Sequence, residues 1–496
     1  MDERSLVFET VKQIDRRKFL LGAGSGLLAA SSALSCRRES AKGTGRPNVV
    51  FILADDLGYR DVGCYGQDKI RTPNIDRLAA EGLRFTDAYA GCTVCAPSRS
   101  VLMTGLHTGH TPIRSNGMGS LLAEEKTVTE IFRAAGYATG GFGKWGLGEE
   151  PGAPGVPSRK GFDQFFGYLN QAHAHFYYPE FLYDNEWEYP LKGNEGGKRT
   201  TYSHDVIAQK ALDFVRQNHK TPFFCYVPFT LPHWELLVPE DSLAEYRGKF
   251  EERAFIDPRD HYARQDESRA AYAAMITRMD RDIGRLMSLL KELDIDENTI
   301  VFFSSDNGPA MPIRGDDYFR SKGEFRGHKG NFYEGGIRVP LIARWPGRVP
   351  ADTVTDLACG FQDFLPTAAE LIGAEAPPDI DGVSLVPTLL GSETTGRRQQ
   401  AHEYLYWELP RRDTKDRWNY RKETPPQALR AGEWKAVRPQ PDGPVEVYNL
   451  KDDPGEQKDL AAANPEVKAR LEGLLKTART EPRPAVPFKD RWRNQS

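Results

Sequence analysis

Two continuous apolar segments, each followed by a pair of polar side chains, constrain the fold of this 496-residue chain more than any other feature. The segments cover residues 48–54 and 300–305. The side chains that follow them are Asp55 and Asp56 in the first case and Asp306 and Asn307 in the second. An unbroken apolar run of this length is typical of a strand that is buried on both faces, as in parallel sheets. Because ligands of open parallel sheets bind beyond the carboxyl ends of the strands, these side chains mark a candidate binding edge.

The alternation of helical and apolar patterns predicts an α/β fold. Apolar residues recur with helical spacing at about 74–82, 127–135 and 267–293, and an apolar run at 222–229 predicts a further buried strand. Such alternation favours a large, mixed but mostly parallel sheet that is sandwiched by helices. We expect this sheet in a main domain at residues 47–379.

The sequence from about residue 380 predicts a smaller unit. Segments rich in proline and charge alternate there with short mixed stretches such as Trp434–Val437 and Val445–Tyr448, and a helical pattern covers about 464–477. Alternation with a period of two is typical of strands with one face toward solvent. We predict a C-terminal subdomain at residues 380–496 with a small antiparallel sheet and one helix.

Residues 1–46 are interpreted as an export signal and a linker. Arg16 and Arg17 precede a stretch rich in small and apolar residues at 20–35, which resembles a twin-arginine signal. Cys36 follows in a degenerate lipobox, so lipid attachment at Cys36 and cleavage without lipidation are both open. Elsewhere no apolar run reaches the roughly 18 residues that a membrane helix needs. These patterns predict an exported protein, periplasmic or on the outer surface, with the export machinery as a partner.

The charge balance excludes one broad class of partner. The chain has 66 basic and 70 acidic residues, which gives a formal net charge of −4. Proteins that bind nucleic acid through its phosphates usually present a strongly basic surface. We therefore expect no nucleic-acid partner.

The cysteines leave several kinds of site open. Besides Cys36 there are five, an odd number that excludes complete disulfide pairing within one chain. Cys92 and Cys95 form a CxxC pair, for which a redox pair and, together with His107 and His110, a zinc site are the alternatives. The segment lacks the usual neighbours of a thioredoxin-like motif, and the eleven residues between Cys95 and His107 are too few for the usual zinc spacing.

The segment that starts at Cys95 resembles the signature of the type I sulfatases. It reads Cys95-Ala-Pro-Ser-Arg99 and continues as Ser-Val-Leu-Met-Thr-Gly. The other motifs that match the family, in chain order, are Asp55-Asp56, Gly143-Lys144-Trp145, Pro232-His233, Asp306-Asn307-Gly308, Lys329 and Glu334-Gly-Gly-Ile-Arg338-Val-Pro340. The resemblance covers residues 47 to about 370, and Val447–Pro454 resembles the family's C-terminal subdomain. On these motifs the chain is similar to the arylsulfatase-like, formylglycine-dependent sulfatases of the alkaline phosphatase superfamily.

The resemblance implies two cofactors. Oxidation of Cys95 by a formylglycine-generating maturase would give an aldehyde, whose hydrate attacks the sulfur of a sulfate ester and then helps to expel sulfate. The resemblance also implies one calcium ion per chain, held by residue 95 together with Asp55, Asp56, Asp306 and Asn307. These oxygen atoms by themselves favour a hard cation, and calcium tolerates an irregular arrangement better than magnesium does.

The same resemblance implies roles for four cationic or titratable residues. Arg99 lies one helical turn after Cys95, where it would orient the hydrated aldehyde and offset its charge. Lys144 and Lys329 resemble the lysines that bind the sulfate group. His233 would donate a proton to the leaving alcohol, since an imidazole can carry a proton near neutral pH.

The chain departs from the family pattern at Gly146. The family commonly has GKWHLG, with a histidine that bonds the hydrated aldehyde, where this chain has a glycine. His173 and His175 follow in a segment with three aromatic residues, which is typical of a wall that contacts a sugar or an aryl group. We predict that one of these histidines supplies the missing imidazole or contacts the sugar. A loop that merely packs is the alternative.

Three functions compete. The resemblance favours hydrolysis of a sulfate ester on a carbohydrate or glycosaminoglycan fragment. A phosphonate or phosphate ester hydrolase of the same superfamily is the first alternative, since related enzymes share the nucleophile and the fold. A non-catalytic sugar-binding lipoprotein whose site has decayed at Gly146 is the second, and the intact nucleophile and metal positions argue against it.

Overall fold

A computed structural model describes residues 46–310, 316–416, 418–484 and 486–488. The predicted export signal and Cys36 lie outside these residues. Among the helices described, none is both long enough and apolar enough to cross a membrane.

The described residues contain sixteen strands and eleven α-helices. The strands are β1 (Asn48–Ala54), β2 (Leu83–Phe85), β3 (Ala88–Tyr89), β4 (Ala138–Lys144), β5 (Gln164–Tyr168), β6 (Phe181–Asp184), β7 (Trp187–Pro190), β8 (Phe223–Pro228), β9 (Thr299–Ser305), β10 (Leu341–Arg344), β11 (Thr353–Thr355), β12 (Cys359–Gly360), β13 (Leu405–Glu408), β14 (Gln427–Ala431), β15 (Trp434–Arg438) and β16 (Glu446–Asn449). The helices are α1 (Pro73–Ala80), α2 (Cys95–Thr104), α3 (Val128–Ala134), α4 (Ser203–Asn218), α5 (Glu240–Tyr246), α6 (Ser268–Glu292), α7 (Glu334–Ile337), α8 (Phe364–Leu371), α9 (Val386–Leu390), α10 (Ser392–Thr395) and α11 (Pro465–Thr477).

Ten strands form the main sheet, in the order β11–β2–β10–β9–β1–β8–β4–β5–β6–β7. The five central strands, from β9 to β5, are all parallel. β10 and β6 pair antiparallel with both of their neighbours. The predicted mixed, mostly parallel sheet is therefore confirmed.

The unbroken apolar sequence of β1 follows from helices on both faces of the sheet. Successive side chains of a strand point to opposite faces. Val50 and Ile52 share one apolar cluster with residues of α1, α4 and α6, whereas Val49 and Phe51 share another with residues of α2, α3 and α8. Since both sets are buried, an alternating polar pattern would place polar groups in a core.

The C-terminal residues form a second sheet, which is antiparallel and has the order β13–β14–β15–β16. One face packs against α11, where Leu429 and Leu471 share an apolar cluster. The other face packs against β3 and α7, and the rings of Trp407 and Tyr89 lie 5.2 Å apart. The predicted small antiparallel sheet is thus confirmed.

Candidate active site

The parallel register of β1 and β9 brings four oxygen-bearing side chains to one edge of the sheet. Ala54 lies opposite Ser305, so the residues that follow the two strands are neighbours. These residues, all fully buried, are Asp55, Asp56, Asp306 and Asn307. The amide Nδ2 of Asn307 donates to Oδ1 of Asp56 at 2.7 Å, and the backbone N–H of Asp56 donates to Oδ1 of Asp306 at 3.1 Å.

Cys95 is the first residue of α2 and faces these carboxylates. Its Sγ lies 3.4 Å from Oδ1 of Asp55 and 3.9 Å from Oδ1 of Asp56. Pro97 is tolerated in the first helical turn, where no intrahelical N–H bond is lost. The backbone N–H of Ala96, one of the free donors of that turn, is bonded to Oδ1 of Asn116 at 2.9 Å. The start of the helix therefore holds residue 95 against the acidic edge.

Burial raises the pKa of the Cys95 thiol well above its ordinary value, although Lys144 and Lys329 oppose the shift. The thiol is therefore neutral at neutral pH. A neutral thiol is a weaker nucleophile than a thiolate.

Three cations, the buried Arg99 and Lys144 and the partly exposed Lys329, pair with the three carboxylates. Arg99 donates from Nε and Nη2 to Oδ2 of Asp306 at 3.0 and 2.8 Å, and from Nη1 to the carbonyl oxygen of Lys144 at 2.6 Å. Nζ of Lys144 lies 2.7 Å from Oδ2 of Asp55. Nζ of Lys329 lies 2.7 Å from the carboxylate of Asp56 and 3.4 Å from Sγ of Cys95. Arg99 thus reaches the carboxylate edge through Asp306.

The carboxylates differ in how readily they ionise. Burial opposes the charge of Asp55, yet Lys144, His233 and Arg99 together hold its pKa well below the ordinary value. Burial raises the pKa of Asp56, and burial together with the charge of Asp55 raises the pKa of Asp306 to about 7. Crowded carboxylates of this kind are stabilised by a cation.

One buried oxygen atom of the site is unpaired within the described ranges. Oδ1 of Asn307 is buried and has no hydrogen-bond partner among the described residues. A carbonyl oxygen next to three carboxylates matches the ligands that Ca²⁺ prefers. Among the described residues, ligand atoms of Asp55, Asp56, Cys95 and His233 also lie within 4.8 Å of one another. The residues therefore fit a hard divalent cation.

His233 closes the other side of Lys329. Its Nε2 lies 3.2 Å from Nζ of Lys329 and 3.3 Å from Oδ2 of Asp56. The ring of His175 stacks on that of His233, with centroids 4.8 Å apart and planes 15° apart. Nδ1 of His175 in turn lies 2.9 Å from Nε2 of His261. Burial lowers the pKa of both stacked imidazoles well below the ordinary value.

His173 lies elsewhere, although it is only two residues from His175. Its ring packs between the rings of Tyr168 and Phe181, at 4.9 and 5.0 Å, and it is fully buried. Burial lowers the pKa of His173 to about 3, against a hydrogen bond with the backbone of Phe181. The structure therefore brings His175 to the candidate site and His173 to an aromatic core.

Several residues near the site carried no sequence motif. Tyr262 lies 5.4 Å from the ring of His175 and 6.0 Å from the ring of Trp234. His261 reaches His175 from the same loop. Trp234 follows His233 directly and offered the one usable signal; the course of the loop around His261 does not follow from any local pattern.

The CxxC pair does not form a zinc site or a disulfide. Cys92 and Cys95 are both free thiols, and Sγ of Cys92 lies 3.7 Å from the carbonyl oxygen of Glu408. His107 and His110 gather around Asp381 instead, with a ring nitrogen of each within 3.5 and 2.9 Å of its carboxylate.

Comparison with known proteins agrees with this geometry. The family profile described as "Sulfatase" matches residues 47–374, and the profile "N-sulphoglucosamine sulphohydrolase, C-terminal" matches residues 323–481. The chain is 33% identical to N-acetylgalactosamine-6-sulfatase of Canis lupus familiaris over 388 residues, which cover 71% of this chain and 67% of that protein. It is 33% identical to arylsulfatase A of Homo sapiens over 416 residues, which cover 77% and 74%.

A solved structure agrees as well. The fold matches that of Ps i-CgsB in complex with k-i-k-neocarrahexaose with a TM-score of 0.71 and 28% identity, covering 87% of this chain and 93% of that chain. The profile match and the identity with the curated proteins show that the chain belongs to the sulfatase family and is a sulfuric ester hydrolase.

Proposed function

We propose that this sulfatase hydrolyses sulfate esters of carbohydrates, with a formylglycine made from Cys95 and one bound calcium ion. The observation that carries the proposal is the position of Cys95. Its Sγ lies 3.4 Å from the carboxylate of Asp55 and 3.4 Å from Nζ of Lys329. A nucleophile at this position lies between carboxylate oxygens that can bind a metal ion and the ammonium group of Lys329, which can bind the ester.

The chain's own residues would hold the calcium ion, which supplies positive charge to the ester oxygens. The proposed protein ligands, besides residue 95, are Asp55, Asp56, Asp306 and Asn307. The three carboxylates support the proposal because they lie together, fully buried, at one edge of the main sheet, where a cation would offset their negative charge. Arg99 fixes Asp306 through two hydrogen bonds and so holds one ligand in place.

Formylglycine in its hydrated form supplies an oxygen nucleophile, which the neutral thiol of Cys95 does not. A formylglycine-generating maturase is therefore a required partner. Lys144, which contacts Asp55, and Lys329, which contacts Asp56 and Cys95, would bind and orient the negatively charged ester oxygens. Lys144 is fully buried and the side chain of Lys329 is 16% exposed, and this limited contact with water strengthens their attraction for an anion.

His233 would hold the proton for the leaving alcohol once the negatively charged ester lies beside it, because that charge opposes burial and the charge of Lys329, which lower the pKa of His233. Its Nε2 lies beside Lys329 and Asp56, whereas its buried Nδ1 has no hydrogen-bond partner among the described residues. The imidazole therefore lies at the edge of the cluster of charged side chains. From there it can donate a proton to the oxygen atom of the alcohol when the bond between that oxygen and sulfur breaks.

A sugar substrate is supported by the aromatic wall beside His233. His175, His261, Tyr262 and Trp234 present ring faces and polar tips in one cluster. Such a combination suits sugar rings, which have apolar faces and hydroxyl edges. The names of the matched proteins agree, since they refer to N-acetylgalactosamine-6-sulfate hydrolysis and to a bound neocarrahexaose.

We also propose that the enzyme is exported after maturation. The support is the arginine pair and apolar stretch of residues 16–35, which resemble a signal for the export of folded proteins. Lipid attachment at Cys36 would hold it at the membrane surface. Mass spectrometry of the N-terminal peptide from the cell envelope distinguishes a lipidated Cys36 from a cleaved, free terminus.

The main test is peptide mass spectrometry of the protein produced together with a maturase. We expect an aldehyde at residue 95, and Cys95→Ala should abolish turnover of an aryl sulfate without lowering the melting temperature greatly. Cys92→Ala is the matched control, because it removes a buried thiol three residues away and should keep the aldehyde and turnover. Full activity with only a thiol at residue 95 would contradict the mechanism.

The substrate is tested with a panel of sulfated mono- and disaccharides, an aryl sulfate and an aryl phosphonate ester. We expect the highest kcat/KM on a sulfated sugar. A phosphonate ester that is hydrolysed faster than every sulfate ester would favour the alternative hydrolase function.

A further inference from the structure

The backbone at Gly146 leaves room for the side chain of another residue. Gly146 has φ of +73°, a conformation that favours glycine. A Cβ atom at this position would lie 2.1 Å from Nε2 and 2.7 Å from Cδ of Gln171. The carboxamide of Gln171 therefore occupies the space that a side chain at position 146 would need.

This space borders the charged edge of the main sheet. Gly146 is two residues beyond Lys144, the last residue of β4, whose Nζ contacts Asp55. The backbone N–H of Gly146 donates to the carbonyl oxygen of Leu169, which ties the two loops together at 3.1 Å. Gln171 thus lies beside the strand end that presents Lys144.

The segment that contains Gln171 also reaches the opposite side of the site. Four residues further on, His175 stacks on His233, which lies 3.3 Å from Asp56. The start of the segment is fixed by Asn170, whose Nδ2 donates to Oε2 of Glu149 at 2.7 Å. The residues from 170 to 175 therefore follow the edge from Lys144 to His233.

The amide nitrogen of Gln171 has no partner in the part of the chain that the structure describes. The residue is 8% exposed, and its Nε2 is buried without a hydrogen-bond partner among the described residues. A buried donor of this kind destabilises the fold unless a ligand or a water molecule accepts its hydrogen bond. The backbone N–H of Gln171 donates to Oε2 of Glu149 at 3.3 Å, whereas the unpaired Nε2 lies against Gly146, two residues after Lys144. An oxygen of the group that Lys144 would bind can therefore serve as the acceptor.

We propose that Nε2 of Gln171 donates a hydrogen bond to an oxygen of the sulfate group of the bound substrate. This inference rests on the proposed sulfate-ester hydrolysis and names a further residue that contacts the sulfate. A neutral donor adds to the lysines because it binds one oxygen directionally, whereas an ammonium group acts as a point charge. The segment that carries Gln171 thereby links sulfate binding with the aromatic wall at His175.

The test is Gln171→Leu, which keeps the approximate size of the side chain and removes the donor. We expect kcat/KM to fall about 10²-fold on 4-nitrophenyl sulfate and on a sulfated sugar alike, the loss typical of removing one donor to developing negative charge. The melting temperature without ligand should stay the same or rise, because an unpaired buried donor is removed. Inorganic sulfate should raise the melting temperature of the wild type and not that of the variant.

Two further variants keep the test decisive. Gln427→Leu is the matched control, because Gln427 is 1% exposed but its Nε2 donates to the hydroxyl of Tyr406 at 2.6 Å in the second sheet. It should lower the melting temperature and keep both the response to sulfate and turnover of the aryl sulfate. Gln171→Asn, which withdraws the amide by one methylene, should fold like the wild type and lose the response to sulfate.

Three outcomes would overturn the assignment of Gln171. They are wild-type kcat/KM on both substrates, a loss confined to the sugar substrate, and an unchanged response to sulfate in Gln171→Leu. If the wild type hydrolyses no sulfate ester, the proposed function fails. The sulfate-dependent melting temperature then still decides whether Gln171 binds the anion.

Discussion

Asn307 shows at the scale of one residue why the carboxylate edge is suited to a cation. Its Nδ2 donates to Asp56 and to the carbonyl oxygen of Gly308, whereas its Oδ1 is buried without a partner in the part of the chain that the structure describes. Within a buried group, an unpaired oxygen next to carboxylates is stabilised when an ion binds it.

This predicts the outcome of removing one acidic ligand. Asp306→Ala should abolish both the bound calcium and turnover, because the affinity of such a site depends on the number of charged ligands. Elemental analysis and a calcium titration of the purified protein measure the effect. Asp280→Ala is the control, because Asp280 is also buried but binds the backbone of Asn74 and Ile75 in the helical layer. Stoichiometric zinc in the wild type, or full activity after thorough chelation, would contradict the assignment.

His173 predicts a pH dependence of stability. Its pKa of about 3 in the folded protein lies below the ordinary value of about 6.5, so the unfolded chain binds the proton more tightly. The stabilising effect of the neutral ring is complete above pH 6.5 and is lost as the pH falls toward 3. Urea unfolding should show wild-type stability falling relative to His173→Phe by about 1.4 kcal/mol per pH unit in that range.

A surface histidine provides the control for this measurement. The control variant is His219→Phe at a partly exposed position after α4, measured over the same pH range. If wild type and His173→Phe lose stability in parallel between pH 6.5 and 4, His173 is not buried as a neutral ring. Unchanged kcat in His173→Phe at neutral pH would agree with its place in the aromatic core.

The sequence predicted those site residues that belong to local motifs. Cys95 and Arg99 are fixed by one helical turn, and Asp55 follows a strand whose burial is evident from its composition. Gln171 and His261 belong to loops, and their spatial neighbours depend on where the chain returns to the sheet. No sequence pattern shows where a loop returns to the sheet. For this reason the sequence predicts that His173 or His175 compensates for the missing side chain at Gly146, whereas the structure places Gln171 there.

At the scale of elements, the central strands were the easiest to predict. The runs at 222–229 and 300–305 correspond to β8 and β9 within one or two residues, because burial on both faces requires nearly continuous apolar sequence. The edge hairpin of β6 and β7 was missed. Its second strand is exposed, with Trp187 at 80%, so no buried pattern marks it.

A buried ion triad connects the second sheet to the loop after Lys329. Nζ of Lys435 in β15 lies 2.8 Å from a carboxylate oxygen of Glu334 and 2.8 Å from one of Glu456, and all three side chains are fully buried. Lys435→Met should reduce the free energy of unfolding by about 3–5 kcal/mol, because it removes the cation that the buried carboxylates of Glu334 and Glu456 share and, among the described residues, leaves Glu334 with Arg338 alone. Guanidinium unfolding monitored by tryptophan fluorescence measures the change.

The control for this prediction is a lysine pair at the surface. Lys451 lies 3.2 Å from Glu433, and the two side chains are 69% and 54% exposed. Lys451→Met should change the free energy of unfolding by less than about 1 kcal/mol. Equal effects of the two substitutions would mean that the triad does not stabilise the contact between the sheets.

At the scale of the whole molecule, the second sheet packs through apolar and polar contacts against the segments of the larger part that contain Ala90 and Arg114. Nε1 of Trp407 donates to the carbonyl oxygen of Ala90 at 2.8 Å, and Arg114 binds Glu408 at 2.9 Å through buried side chains. Ala90 lies only five residues before Cys95. The segment that leads to Cys95, the proposed nucleophile, therefore depends on contacts from β13.

These contacts predict that residues 46–379 do not fold without the C-terminal subdomain. A fragment of residues 46–379 should be insoluble or lack fixed tertiary structure, because it exposes the apolar face around Tyr89 and lacks Lys435 and Glu408, the charged partners of Glu334 and Arg114 in the second sheet. Soluble expression and near-UV circular dichroism measure the outcome. A folded fragment that hydrolyses an aryl sulfate would show that the second sheet is dispensable.

The charged residues of the site lie at the ends of strands, whereas several of its ring side chains lie on loops, and this difference affects how such enzymes diversify. Lys144 and the acidic pairs extend from central parallel strands that are held on both sides, whereas His175 and His261 stand on surface loops. Loops accept insertions and replacements that strands in a core do not. The loops that carry His175 and His261 can therefore change during evolution and alter which sugar is bound. The charged residues at the strand ends stay in place.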